Sequence, residues 1–140
     1  MMKCLSLKQP YSFLLSTGKK TIELRKWNTN FRGEFLIHAS KNVDAESCTR
    51  LKIDKNKLII GSIIGSAFLY GVNKYEDKQD FVNDSNKHFA NVSRYDEGYK
   101  YGFLIKDAKT LKKSVPYLGR LGFFEIDTLK LNIHENHKIL

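Results

Sequence analysis

The chain has 140 residues, 41% hydrophobic and 28% charged, with 24 Lys and Arg against 15 Asp and Glu for a net charge of +9. That is the length of a single domain, residues 1–140, with a core of its own, and its share of aromatic and β-branched residues excludes a chain disordered throughout. Cys4 and Cys48, the two cysteines, have no CxxC spacing, which excludes a disulfide framework or a cysteine zinc site and fits a reducing compartment.

In chain order, Cys4 to Leu7 reads as a first strand. Pro10 suits the first turn of a helix, where its missing N–H costs nothing. Tyr11, Leu14 and Leu15 fall on one face of that helix, and Gly18 suits the left-handed position that ends it. Lys20 to Arg25 follows as a charged strand. Asn28, Asn30 and Gly33 are turn residues. Phe35 to Ala39 is apolar on both parities apart from His38, the pattern of a central strand covered on both faces. Asp44 caps a short helix through Leu51, and Lys52 to Lys57 is a basic loop.

Ile59 to Tyr70 is a long β run interrupted by Gly61 and Gly65, with Gly71 just beyond, glycines that mark bulges or bends. Asp77 to Phe89 reads as a helix with Phe81, Val82, Ser85 and Phe89 along one side, and Asn91 to Gly98 as an exposed loop. Tyr99, Tyr101, Phe103 and Ile105 alternate with Lys100, Gly102, Leu104 and Lys106 as a strand with an aromatic face. Lys109 to Val115 is a basic segment ending at Pro116, and Leu121 to Ile126 is a last strand. Residues 127–140 form a final strand or a polar tail. The pattern is that of an α+β domain, a small barrel with helices between strands.

The N-terminal residues lack the apolar core of a signal peptide, and the most apolar run, Leu58 to Tyr70, is too short and too rich in Gly and Ser to span a bilayer. The cytoplasm is the expected location, with no membrane partner. The positive charge has two readings: a surface for a polyanion, RNA first among them, or a solvated lysine-rich exterior.

The stretch from Lys20 to Arg25 carries the most chemistry. Alternation turns Ile22 and Leu24 to a core, and Thr21, Glu23 and Arg25, with Trp27 on the same parity, to the other side. Lys20 stands at the entrance of the strand. A carboxylate, a guanidinium and an indole on one face are material for a binding site.

Gln9-Pro10-Tyr11, Gly18-Lys19-Lys20-Thr21-Ile22-Glu23-Leu24-Arg25, Trp27, Arg32-Gly33 and Ile37-His38-Ala39-Ser40 resemble the N-terminal half of ASCH domains (activating signal cointegrator homology). Val115-Pro116-Tyr117-Leu118-Gly119-Arg120-Leu121-Gly122-Phe123-Phe124 resembles the ending of that family. The first motif departs mildly: Tyr11 and Ser12 follow Gln9-Pro10 where the family has QPxA. The resemblance implies a PUA-like fold, a compact bent β-barrel with interspersed helices, and a cleft near the first helix walled by the Lys20–Arg25 strand. It also implies binding of RNA or a nucleotide.

Candidate ligand contacts are then Gln9, Pro10, Tyr11, Lys20, Thr21, Glu23, Arg25, Trp27, Arg32, His38, Ser40 and Arg120. Glu23 suits the amino group of a base, Arg25 a phosphate or a stacked base, and Trp27 a stacking platform. Arg32 and Arg120 suit phosphate. His38 reads either as a hydrogen-bonded core histidine or as a cleft residue with Ser40.

The second reading is a hydrolase of RNA or of a modified nucleoside, because relatives of this fold include amidohydrolases acting on acetylated cytidine. Their pattern resembles K-T-x-T-x-R with the second Thr as nucleophile. Here Lys20 and Arg25 match, and Glu23 stands in the nucleophile's place, which leaves Lys20 and Glu23 as the catalytic pair of such an enzyme. A third reading is a protein-interaction domain whose basic face meets an acidic protein. His134 and His137, flanking Glu135, resemble a short metal-ligand spacing without a supporting ligand cluster, so neither metal nor cofactor is expected.

Overall fold

The structure, a computed structural model, describes residues 1–133. Six strands, β1 (Met2–Gln9), β2 (Ile22–Arg25), β3 (Gly33–Val43), β4 (Ser62–Lys74), β5 (Tyr101–Pro116) and β6 (Phe123–Ile126), form one sheet in the order β2-β5-β4-β3-β1-β6. Only β1 and β3 run parallel; every other neighbouring pair is antiparallel. Five short helices lie between the strands: α1 (Tyr11–Ser16), α2 (Ala45–Arg50), α3 (Lys78–Asn83), α4 (Ser85–His88) and α5 (Ser93–Asp96). No helix among the described residues is long and apolar enough to cross a membrane. The architecture is α+β, as expected, with one refinement. The sheet bends without closing, and β2 and β6 remain its hydrogen-bonding edges.

Both faces of the central strands are covered, as the run in β3, apolar on both parities apart from His38, requires. Leu5 and Leu7 of β1 and Phe35, Ile37 and Ala39 of β3 join Leu15, Leu69, Phe103 and Ile105 in one cluster. Cys4 and Leu36, of opposite parity, join Ile63, Leu111, Phe124, Ile126 and Ile133 in a second. Ile22 and Leu24 enter a third with Tyr75 and Phe81, so the expected core face of β2 is the buried one. Both cysteines are buried and free.

Where β2 comes round toward β1 and β6, side chains bridge the gap. Arg25 Nη2 donates to the Ser6 carbonyl at 3.0 Å. Trp27 packs edge-on against Phe123 of β6, ring centroids 6.0 Å apart, and against Phe103 of the neighbouring β5 at 5.3 Å.

Several boundaries move. The charged strand begins at Ile22, because Lys20 and Thr21 bond outside the ladder: their backbone N–H groups donate to Leu14 O and Lys87 O. Pro10 precedes the helix rather than opening its first turn, and its carbonyl accepts the first helical bond, from Leu14. Gly18 does take the left-handed conformation after α1, at φ +81°.

The basic segment Lys109 to Val115 belongs to β5, where it pairs with β4 and buries Leu111; its lysines hid the alternation. The β run starting at Ile59 enters the sheet only at Ser62, leaving Ile59 and Ile60 exposed. The helix of Asp77 to Phe89 breaks at Asp84 into α3 and α4. Its buried side chains are Phe81 and His88, while Val82 and Ser85 face solvent. The loop of Asn91 to Gly98 contains α5, and the basic loop contains a 3₁₀ turn at Lys55–Lys57. Residues 127–133 form turns that bury Ile133; the His134 and His137 spacing lies outside the described residues.

Asp44 caps α2 as its sequence position required. Its carboxylate accepts from the Ser47 N–H at 3.0 Å and the Ser47 hydroxyl at 2.8 Å. Burial pushes its pKa up, but the two Ser47 bonds, with Arg94 and Lys8, outweigh this and hold it below 3.8. The folded state therefore takes up the proton only at a lower pH than the unfolded chain, so Asp44 contributes stability above 3.8 that is lost as pH falls through the folded value. We expect Asp44→Ala to cost about 1 kcal/mol in urea denaturation at neutral pH. The gap to the wild type should narrow in acid. A gap constant from pH 6 to 2 would contradict this.

Candidate functional site

A cleft of about 520 Å³ opens beside β2, against α1, the exposed end of β1, and the loop 117–122 between β5 and β6. Its inner wall is a chain of charges. Glu23, 7% exposed, bonds Lys20 Nζ through Oε1 at 3.2 Å and Arg25 through Oε2 at 2.8 Å. Lys20 is buried at 2% exposure, and its ammonium also donates to Ile22 O at 2.6 Å and His88 O at 2.9 Å.

An ammonium has three N–H donors, and here three acceptors take them. Burial lowers the Lys20 pKa, Glu23 opposes the shift, and Arg25 adds to it. Tyr11 of α1 lies under Lys20, ring centroid 5.2 Å from Nζ, and its hydroxyl bonds Ser47 at 2.7 Å.

A further part of the lining comes from the parallel register of β1 and β3, which sets Ser6 beside His38. Ser6 Oγ lies 2.8 Å from His38 Nδ1, and His38 Nε2 lies 2.6 Å from the Tyr117 carbonyl. A carbonyl only accepts, so Nε2 carries the proton and Nδ1 accepts from the Ser6 hydroxyl. Burial pushes the His38 pKa below 6.5, partly offset by the bond to Tyr117, so the ring is neutral at pH 7. Gly119 covers this pair closely. A Cβ there would meet His38 Cε1 at 2.8 Å and Ser6 Oγ at 2.9 Å.

The rim is cationic. Lys8, Lys41, Arg94 and Arg120 line it, with Asp44 among them. Arg94 is held by Asp44 at 3.3 Å and Glu97 at 2.9 Å, over the ring of Tyr99.

Of the expected contacts, Tyr11, Lys20, Glu23, Arg25, His38, Ser40 and Arg120 line this cleft. Five others stand outside it. Gln9 is buried and ties the start of α1 to the loop before β4, through Phe13 N and Ile59 O. Pro10 is buried at the N-cap of α1. Thr21 is exposed, and its backbone bonds Lys87 and Ile105. Trp27, still 37% exposed, packs edge-on against Phe103 and Phe123. Arg32 is exposed and caps its own loop through Thr29 O and Phe31 O.

Ser6, Asp44, Arg94, Tyr99 and Gly119 line the cleft without having been singled out as contacts. The helix-cap signal was the visible mark of Asp44. Nothing local marks Ser6 or Arg94. No group of three or more His, Cys, Asp or Glu among the described residues could hold a metal ion.

A bent, unclosed six-stranded sheet with short helices between its strands is a PUA-like architecture. The ASCH domain family matches residues 5–112, and the chain belongs to that family. The crystal structures of ASCH from Zymomonas mobilis share the fold. A serine-to-alanine mutant of that protein superposes with a TM-score of 0.68 at 16% identity, covering 94% of both chains. The unmutated protein gives 0.67 at 14% identity, covering 93% of this chain and 90% of that one. A search of curated protein sequences finds no match.

Proposed function

We propose that the cleft binds one nucleotide unit of an RNA, or a free nucleotide, with the base against Glu23 and phosphates at the cationic rim. One observation carries the reading. A carboxylate clamped between Lys20 and Arg25 faces a cavity edged by Lys8, Lys41, Arg94 and Arg120. Oε1, which meets Lys20, keeps a second lone-pair site for a donor on a base edge, while Oε2 already faces both Nε and Nη2 of Arg25. The cations supply attraction for a polyanion, and the ASCH family is generally linked to RNA binding.

The hydrolytic reading built on Lys20 and Glu23 has less support. Lys20 Nζ already meets Ile22 O, His88 O and Glu23, which favours a role in holding Glu23 over one in moving protons.

Fluorescence anisotropy with a short single-stranded RNA tests the binding reading. Neutralising two or three phosphates predicts a loss of about 7- to 20-fold between 50 and 200 mM salt. The double variant Lys41→Ala/Arg120→Ala should flatten that dependence. Mononucleotides should compete, and doubly methylating the exocyclic amine of the base should weaken the competition. Affinity unaffected by salt and by the rim substitutions would sink the proposal.

A further inference from the structure

The cleft lining beyond Arg25 has the parts of a nucleophilic centre. Neighbouring positions on the parallel strands β1 and β3 place the Ser6 hydroxyl 2.8 Å from His38 Nδ1. The Tyr117 carbonyl takes the proton of His38 Nε2 at 2.6 Å. That bond fixes the tautomer in which Nδ1 is a base and the serine is its donor. It does for the ring what the third member of a hydrolytic triad does. Ser6 is half-buried and His38 buried, and both line the cleft. Lowering of the His38 pKa by burial keeps the base form present at neutral pH.

Arg25 stands beside Ser6. It donates through Nη2 to the Ser6 carbonyl at 3.0 Å and commits Nε and Nη2 to Glu23. The Nη1 amino group carries two further donors.

We propose that Ser6 and His38 are a nucleophile–base pair that cleaves carboxylic esters of small anionic molecules in this cleft. Ser6 Oγ attacks the ester carbonyl carbon, and its proton passes to His38 Nδ1. The carbonyl oxygen becomes an oxyanion held by Arg25. Collapse breaks the bond to the alcohol oxygen, which takes the proton from Nδ1 and leaves as the alcohol. A water then attacks the acyl-Ser6 carbonyl, giving its proton to Nδ1, and the acid leaves as Ser6 Oγ recovers that proton. The sum is ester plus water to acid plus alcohol, with no other co-reactant.

The cationic rim of Lys8, Lys41, Arg94 and Arg120 selects an anionic molecule, and the exposed side chains of Leu118 and Leu121 on the covering loop suit an acyl chain. That the anion is a nucleotide rests on the function proposed above; the pair itself does not.

The test uses the whole chain, a fluorophosphonate probe, and the esters p-nitrophenyl acetate and p-nitrophenyl succinate. One adduct is expected, mapped to Ser6 by peptide mass spectrometry. Ester turnover should fall at least 100-fold in Ser6→Ala, with the anionic succinate preferred over the acetate by the wild type. Should Ser6→Ala fail to fold by circular dichroism, labelling of the native chain decides alone. A folded wild type left unlabelled at Ser6, or a folded Ser6→Ala that keeps the wild-type rate, overturns the pair. Labelling and turnover without affinity for RNA or mononucleotides would leave the pair standing and overturn the nucleotide reading. RNA binding without labelling would do the reverse.

Discussion

Replacing Glu23 with alanine is expected to cost the fold about 3–5 kcal/mol, the usual effect of removing one partner from a buried ion pair. The reason lies in Lys20. It is 2% exposed, its ammonium is shut away from solvent, and Glu23 supplies the one negative charge among its three acceptors. Ile22 O and His88 O are dipoles that solvate the ammonium without neutralising it. Removing Glu23 also removes the interaction that opposes the fall of the Lys20 pKa.

The variant should therefore carry a pH signature. Between the lowered folded value of Lys20 and 10.5, the unfolded chain binds the proton that the folded one has shed. Stability of Glu23→Ala should rise with pH across that window and recover part of the loss. Adding Lys20→Met, which removes the stranded charge, should recover most of it at neutral pH. Urea denaturation of the single and double variants measures both effects. A loss below about 1 kcal/mol for Glu23→Ala would mean that the pair is not the clamp its geometry describes.

The second large effect is expected at Gly65, away from the cleft floor but coupled to it. A Cβ there would lie 2.4 Å from the backbone oxygen of Lys109 and 2.9 Å from Ser16 Cβ. Neither neighbour is the end of a flexible side chain. The first belongs to the β5 backbone beside the residue paired with Gly65, and the second closes α1. The Thr110 hydroxyl donates to Ser16 O at 3.2 Å across the same spot, tying the helix to the sheet. Gly65→Ala should therefore separate α1 from β5 and cost about 2–3 kcal/mol by overpacking. Because α1 carries Tyr11 beside Lys20, ligand affinity should fall with stability. Equal urea midpoints for wild type and variant would refute the close approach.

Much of this was legible in the sequence for identifiable reasons. The two-residue period in β2 separated Ile22 and Leu24 from Glu23 and Arg25 because one side of that strand meets a core and the other a cleft. Asp44 and Gly18 announced helix ends through chemistry confined to their own turns.

What could not be read locally depended on partners far along the chain. The lysines of residues 109–113 masked a strand whose burial rests on Leu111 alone among them. Trp27 had the parity of a cleft residue, yet Phe123, distant in sequence, draws it into packing. Ser6 acquires meaning only from a parallel register with a strand some thirty residues later.

The unclosed sheet has a consequence for how this molecule would accommodate a guest. The gap between β2 and the β1–β6 end is spanned by a guanidinium-to-carbonyl bond and aromatic contacts to Phe123, not by a ladder. The cleft sits along that gap. No β-ladder hydrogen bond therefore fixes the separation of its two sides. Such a joint would let the cleft behave as an adjustable jaw, fitting guests of different thickness without breaking a backbone pairing.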